Sequence, residues 1–144
     1  MAKEAVLWQW LRSGLQGYGH LVRIENLVAA GTPDVNFAIA GNDGWIELKS
    51  TATLPKRSAT AVFGSSHNLG PEQIEWLVQR ARHSSSAFIG ARAEAVFWLI
   101  PAAHATLFNS ASLVRLNELA VFKRNGRMAA DDWAECARVL AKRG

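Results

Sequence analysis

The sequence predicts an α/β fold, a mixed central sheet flanked by helices, and three patterns in the chain predict it. A helical pattern opens the chain at Ala2 to Leu15. Short apolar, partly β-branched runs separated by turn residues follow, as expected of strands. A second helical stripe, Pro71 to Arg82, then precedes two further apolar runs at Ala87 to Gly90 and Ala95 to Ile100.

In the first helix Glu4, Trp8, Leu11 and Leu15 recur at i, i+4, i+7 and i+11, so one face carries all of them and Glu4 heads the core-facing stripe. Leu21 to Asn26 reads as extended, a strand ahead of Gly31. Val35 to Ala40 and Trp45 to Leu48 form a hairpin around Gly41-Asn42-Asp43-Gly44, which has the composition of a tight turn. Pro71 suits a first helical position, and Ile74, Leu77, Val78 and Ala81 form the apolar stripe behind it. Ser84 to Ser86 is a loop. Further on, Ala102 to Leu107 and Leu113 to Leu119 read as short helices and Val121 to Lys123 as a strand. Asp131 caps a last helix with Trp133, Cys136, Ala137 and Leu140 on one face. The C-terminal third thus offers packing or oligomer surface. Its basic cluster, Lys123, Arg124 and Arg127, suits a solvated face or a phosphate contact.

The chemistry-bearing stretch is the hairpin. Asp34 follows Pro33 at the head of one strand, and Glu47 and Lys49, at i and i+2, share a face of the other while Ile46 and Leu48 take the opposite face. Pairing the hairpin symmetrically about Gly41 to Gly44 sets Asp34 opposite Thr51, roughly 13 Å along the strand from Glu47. Bringing both acids to one ion then requires a bulge, a strong bend or a different register.

The order Pro33-Asp34, about a dozen residues, then Glu47-Leu48-Lys49 resembles the PD-(D/E)XK nuclease superfamily, most nearly its VRR-NUC nucleases and Holliday junction resolvases. The resemblance covers about residues 1 to 103 and implies a restriction-endonuclease-like fold. It implies Mg2+, with Mn2+ able to substitute, held by Asp34, Glu47 and the backbone carbonyl of Leu48, and a catalytic role for Lys49. Two acids suffice for an ion that prefers hard oxygen ligands and keeps several waters. Relatives carry a glutamine near the start of the following helix, which Gln73 matches, although a first-turn Gln also suits a capping contact. Many carry an acid on the first helix that reaches the metal; Glu4 is the candidate, with a favourable first-turn acid as its other reading and Glu25 as the alternative position. The expected activity is endonucleolytic cleavage of DNA, branched or four-way, by a homodimer. A catalytically silent DNA-binding module of the same fold, and a protein-interaction subunit using exposed tryptophans, are the rival readings.

Whole-chain numbers set bounds on these readings. The 144 residues suit one domain with a sizeable core, and 16 Lys and Arg against 12 Asp and Glu give a net charge of +4, which suits a polyanionic partner. One cysteine, Cys136, excludes an intramolecular disulfide, and His20, His67, His83 and His104 lack ligand spacing. No signal-peptide profile or membrane-length apolar run is present, so a soluble, cytoplasmic protein is expected. The long connection from Ser50 to Asn68 carries Lys56, Arg57 and His67, and is expected to contact the nucleic-acid backbone and order on binding, or else to be a mobile surface loop.

Overall fold

The structure is a computed structural model and describes residues 3–25, 30–65 and 67–142. Its frame is a six-stranded sheet whose spatial order follows the chain: β1 (Gly19–Arg23), β2 (Val35–Ile39), β3 (Asn42–Thr51), β4 (Ala87–Ala93), β5 (Val96–Pro101) and β6 (Phe122–Asn125). Neighbours are antiparallel except β3 and β4, which run parallel and are joined through helix α2 (Pro71–Ala81). A parallel pair needs such a crossover, whereas β2–β3 and β4–β5 close through two-residue turns. The predicted mixed sheet flanked by helices is therefore the observed architecture.

Strand alternation divides the core between the two faces. Val35, Phe37, Ile39, Ile46 and Leu48 meet Leu7, Leu11 and Leu15 of α1 (Lys3–Leu15) and Cys136 and Leu140 of α5 (Ala130–Ala141). On the other face Ile89, Trp98 and Ile100 pack with Leu77 of α2, Phe108 of α3 (Ala105–Phe108) and Leu116 of α4 (Leu113–Leu119). Trimming one of these fully buried leucines to alanine costs about 2–5 kcal/mol. A short 3-10 turn, Ala102–His104, leads into α3.

Several boundaries differ from the sequence reading. The first strand is Gly19–Arg23; the rest of the predicted Leu21 to Asn26 run falls partly outside the described residues. The hairpin turn is Ala40-Gly41, not Gly41 to Gly44: both residues have positive φ, 50° and 81°, as a two-residue type I′ turn requires. Asp131 is not the cap of α5, because Asp132 accepts from the Ala129 N–H at 2.8 Å. Arg124 does not join an open basic cluster, since it is bound to Asp132 and Glu135. None of the described tryptophans is an exposed partner surface: Trp8 and Trp98 are buried, and Trp10, Trp45, Trp76 and Trp133 are half-buried.

The connection from β3 to α2 has no helix or strand among its described residues but is fastened at several points. The Glu94 carboxylate accepts from the Leu54 N–H at 2.6 Å, Val62 and Phe63 are buried with Phe63 stacked on Phe108, and Asn109 bonds both the N–H and the C=O of Leu69. The expectation that the segment orders only on binding does not fit these anchors.

Candidate active site

The corrected turn sets the register of the hairpin. Ile39 pairs with Asn42 and Val35 with Ile46, so one further step places Asp34 directly across from Glu47. Cross-strand neighbours share a face with Cβ atoms about 5 Å apart. The separation implied by a Gly41 to Gly44 turn disappears, and no bulge is needed. Asp34 Oδ2 accepts from the Leu48 N–H at 2.9 Å, so it lies against the segment that holds Glu47. Within an extended strand the N–H and C=O of one residue point to the same side, which puts the Leu48 carbonyl on the Asp34 edge beyond the last β2–β3 pair.

Glu47 is 2% exposed. Its Oε2 accepts from Gln73 Nε2 at 3.0 Å and lies 3.9 Å from Lys49 Nζ. Its other oxygen, Oε1, is buried with no hydrogen-bond partner among the described residues. Burial first, then the Asp34 carboxylate beside it, push the Glu47 carboxyl up from 4.5 to about 9; Lys49 opposes the rise and Glu4 adds to it.

Gln73 makes the capping contact and also bonds Glu47. It is the third residue of α2, its Oε1 accepts from the Gly70 N–H at 2.8 Å, and its Nε2 reaches Glu47. Gly31 seats this helix start: its φ is 87°, and a Cβ there would collide with the Glu72 carbonyl. The link leading to Asp34 and the helix bearing Gln73 are therefore locked together.

Glu4 acts on Glu47 through space. Glu25 is exposed beyond β1. Among the described residues no three His, Cys, Asp or Glu side chains stand close enough to form a metal cage by themselves. Lys56 and Arg57 are exposed on the β3–α2 connection and His67 is half-buried there; no described hydrogen bond or ion pair joins them to the acids.

Two facing carboxylates, one with a buried and unpaired oxygen, are a donor set suited to a hard cation with remaining water ligands. An unpaired buried carboxylate oxygen is costly, and a divalent cation removes that cost. The residues present therefore fit a hard divalent cation. Among the described residues no helix is long and apolar enough to cross a membrane.

No protein-family model matches the chain, and no curated protein does. Among solved structures, Hjc, a Holliday junction resolvase from the archaeal hyperthermophile Archaeoglobus fulgidus, is similar at 18% identity over 68% of this chain and 76% of that one, with a TM-score of 0.48.

Proposed function

We propose that the protein is a Mg2+-dependent endonuclease that hydrolyses DNA phosphodiesters, selective for branched substrates such as four-way junctions. The observation that carries this reading is the buried, unpaired Oε1 of Glu47 directly across the strands from Asp34. In this reading Asp34, Glu47 and the Leu48 carbonyl hold the ion, and Mn2+ substitutes for it. The ion supplies charge neutralisation at the phosphate and lowers the pKa of a water.

The chain's own residues do the rest. Gln73 fixes the rotamer of the Glu47 carboxylate through the 3.0 Å bond. Lys49, buried and cationic, stands beside Glu47 and faces the substrate phosphate, where a preorganised charge stabilises the transition state. Glu4 adds negative potential that favours a cation at the site. Lys56, Arg57 and His67 contribute sequence-independent contacts to the nucleic-acid backbone. Preference for branched DNA comes from the superfamily resemblance of the sequence. Resolving a symmetric junction takes two cuts, hence two copies of this site in a homodimer.

The deciding experiment incubates purified protein with labelled linear, single-stranded, flapped and four-way DNA, with and without Mg2+, alongside light scattering of the free and bound protein. Mg2+-dependent cutting of junctions by a dimer is expected. A monomer that cuts flaps as fast as junctions replaces junction resolution with general structure-specific cleavage. DNA binding without cutting replaces the enzyme with a silent binding module.

A further inference from the structure

Arg92 is the one charged residue of β4, whose other positions are Ala87, Phe88, Ile89, Gly90, Ala91 and Ala93. A cation set in so apolar a strand needs a partner, and its partner is aromatic: the guanidinium carbon lies 4.5 Å from the Trp10 ring centroid. Among the described residues no carboxylate forms an ion pair with it. Glu94, two residues on, gives an oxygen to the Leu54 N–H instead. Packing over the Trp10 ring restrains the guanidinium without neutralising its charge.

Its place relative to the acids follows from strand register. In the parallel pair Ala91 stands beside Lys49 and Arg92 beside Ser50, so Arg92 lies one step past Lys49 and roughly 10 Å along β3 from Glu47. With Ser50, Thr51, Val6 and Leu7 it lines a groove of about 300 Å³. The same early turns of α1 carry Glu4. The groove lies at the C-terminal ends of the two parallel strands, where ligands of α/β sheets commonly bind. Ser50 and Arg92 turn to the α1 side and Glu47 and Lys49 to the α2 side, so a DNA strand touching both crosses the end of the sheet.

The geometry points to Arg92 as the residue that holds a backbone phosphate of bound DNA adjacent to the scissile one, with the Ser50 hydroxyl as a neighbouring polar contact. This assignment rests on the nuclease reading and extends it to a strand-positioning residue. A restrained, planar guanidinium suits the paired oxygens of a phosphodiester better than a lysine ammonium does.

The test measures fluorescence anisotropy of four-way and flapped DNA in EDTA across a salt series, and cleavage kinetics in Mg2+, for wild type, Arg92→Ala and Arg92→Lys, with thermal melts as a fold check. Arg92→Ala is expected to bind about tenfold more weakly, to lower the slope of log affinity against log salt by about one, and to show its cleavage loss in KM. Arg92→Lys is expected to keep the wild-type salt slope while recovering only part of the affinity; it also serves if the alanine variant fails to fold. Wild-type affinity and slope in Arg92→Ala overturn the assignment, as does a loss confined to kcat. Wild-type protein that binds but never cuts overturns the nuclease reading alone, because the salt slopes still judge Arg92. Wild-type protein that cuts while Arg92→Ala binds normally overturns Arg92 alone.

Discussion

The side-chain amide of Gln73 spans from the Gly70 N–H, at 2.8 Å, to Glu47 Oε2, at 3.0 Å, joining a helix cap to a buried carboxylate. Two substitutions separate these duties. Gln73→Ala removes both contacts and is expected to lower stability by about 1 kcal/mol and cleavage at least tenfold. Gln73→Glu keeps an acceptor for Gly70 but sets a third carboxylate against Glu47; it is expected to melt near the wild-type temperature in Mg2+ while losing cleavage. Equal activity in Gln73→Glu and wild type would show that the Gln73–Glu47 bond has no part in the chemistry.

Asp34→Ala and Glu47→Ala are expected to lose metal-dependent cleavage by about 10²-fold or more while keeping the fold and most DNA affinity. Isothermal calorimetry with Mg2+ or Mn2+ should show binding lost in both. Lys49→Ala should bind metal and fail to cut. Unchanged calorimetric binding in both acid variants, or full cleavage by Lys49→Ala, refutes the assignment.

Ca2+ is expected to support DNA binding without cutting, because its longer bonds and looser coordination do not hold the attacking water as Mg2+ does. The check is a gel assay of bound and cleaved DNA in each ion. Efficient turnover in Ca2+ or in EDTA rules out the mechanism.

The pH dependence of stability has a definite sign. The folded Glu47 carboxyl titrates near 9 against 4.5 ordinarily, so between these values the unfolded chain releases a proton that the folded protein retains. This contribution is complete below pH 4.5 and is lost as the pH rises through 9. Metal-free protein should therefore melt at falling temperature from pH 5 to 9. Glu47→Gln should flatten that profile and gain roughly 2 kcal/mol or more at pH 8. Mg2+ binding near neutral pH should release a proton, read as a calorimetric enthalpy that varies with the buffer. A flat wild-type profile would contradict the burial of an unpaired carboxyl.

The turn supplies a stability test independent of catalysis. Ala40 sits at φ 50°, a region that costs an alanine about 1 kcal/mol, and is followed by Gly41 at φ 81°. Ala40→Asn creates the Asn-Gly pair favoured in type I′ turns and should stabilise the protein by roughly 0.5–1 kcal/mol in urea melts. Destabilisation would mean that the turn lies elsewhere, and with it the Asp34–Glu47 pairing.

How far the site was legible depended on the range of the forces that build it. Asp34, Glu47, Lys49 and Gln73 were candidates through the superfamily resemblance, whereas the helices and strands carrying them follow from local pattern. The register did not, because Asn42-Asp43-Gly44 has stronger turn chemistry than Ala40-Gly41. What overrides it is tertiary. Asn42 is buried in the strand, donating to Ser86 Oγ and to the Leu140 carbonyl, partners 44 and 98 residues away. The alternation of Val35, Phe37 and Ile39 with Ile46 and Leu48 is the same in either register, so it could not choose between them. Asp131 was read as the cap from composition, and only the geometry of the helix entry shows that Asp132 makes the contact with the Ala129 N–H. Arg92 was passed over because one arginine among apolar residues has no motif; its lone polarity within β4 was the available signal.

The fastenings of the β3–α2 connection bear on how a substrate would be chosen. With Leu54 held by Glu94, Phe63 set in the core and Leu69 clasped by Asn109, the span bearing Lys56 and Arg57 begins and ends at fixed points. A preformed rim of this kind surrenders little conformational freedom on contact, so binding energy need not be spent on ordering it. It also adapts poorly to a duplex of the wrong path. Discrimination would then arise as in a gauge, from DNA whose arms already diverge at the angle the rim leaves open.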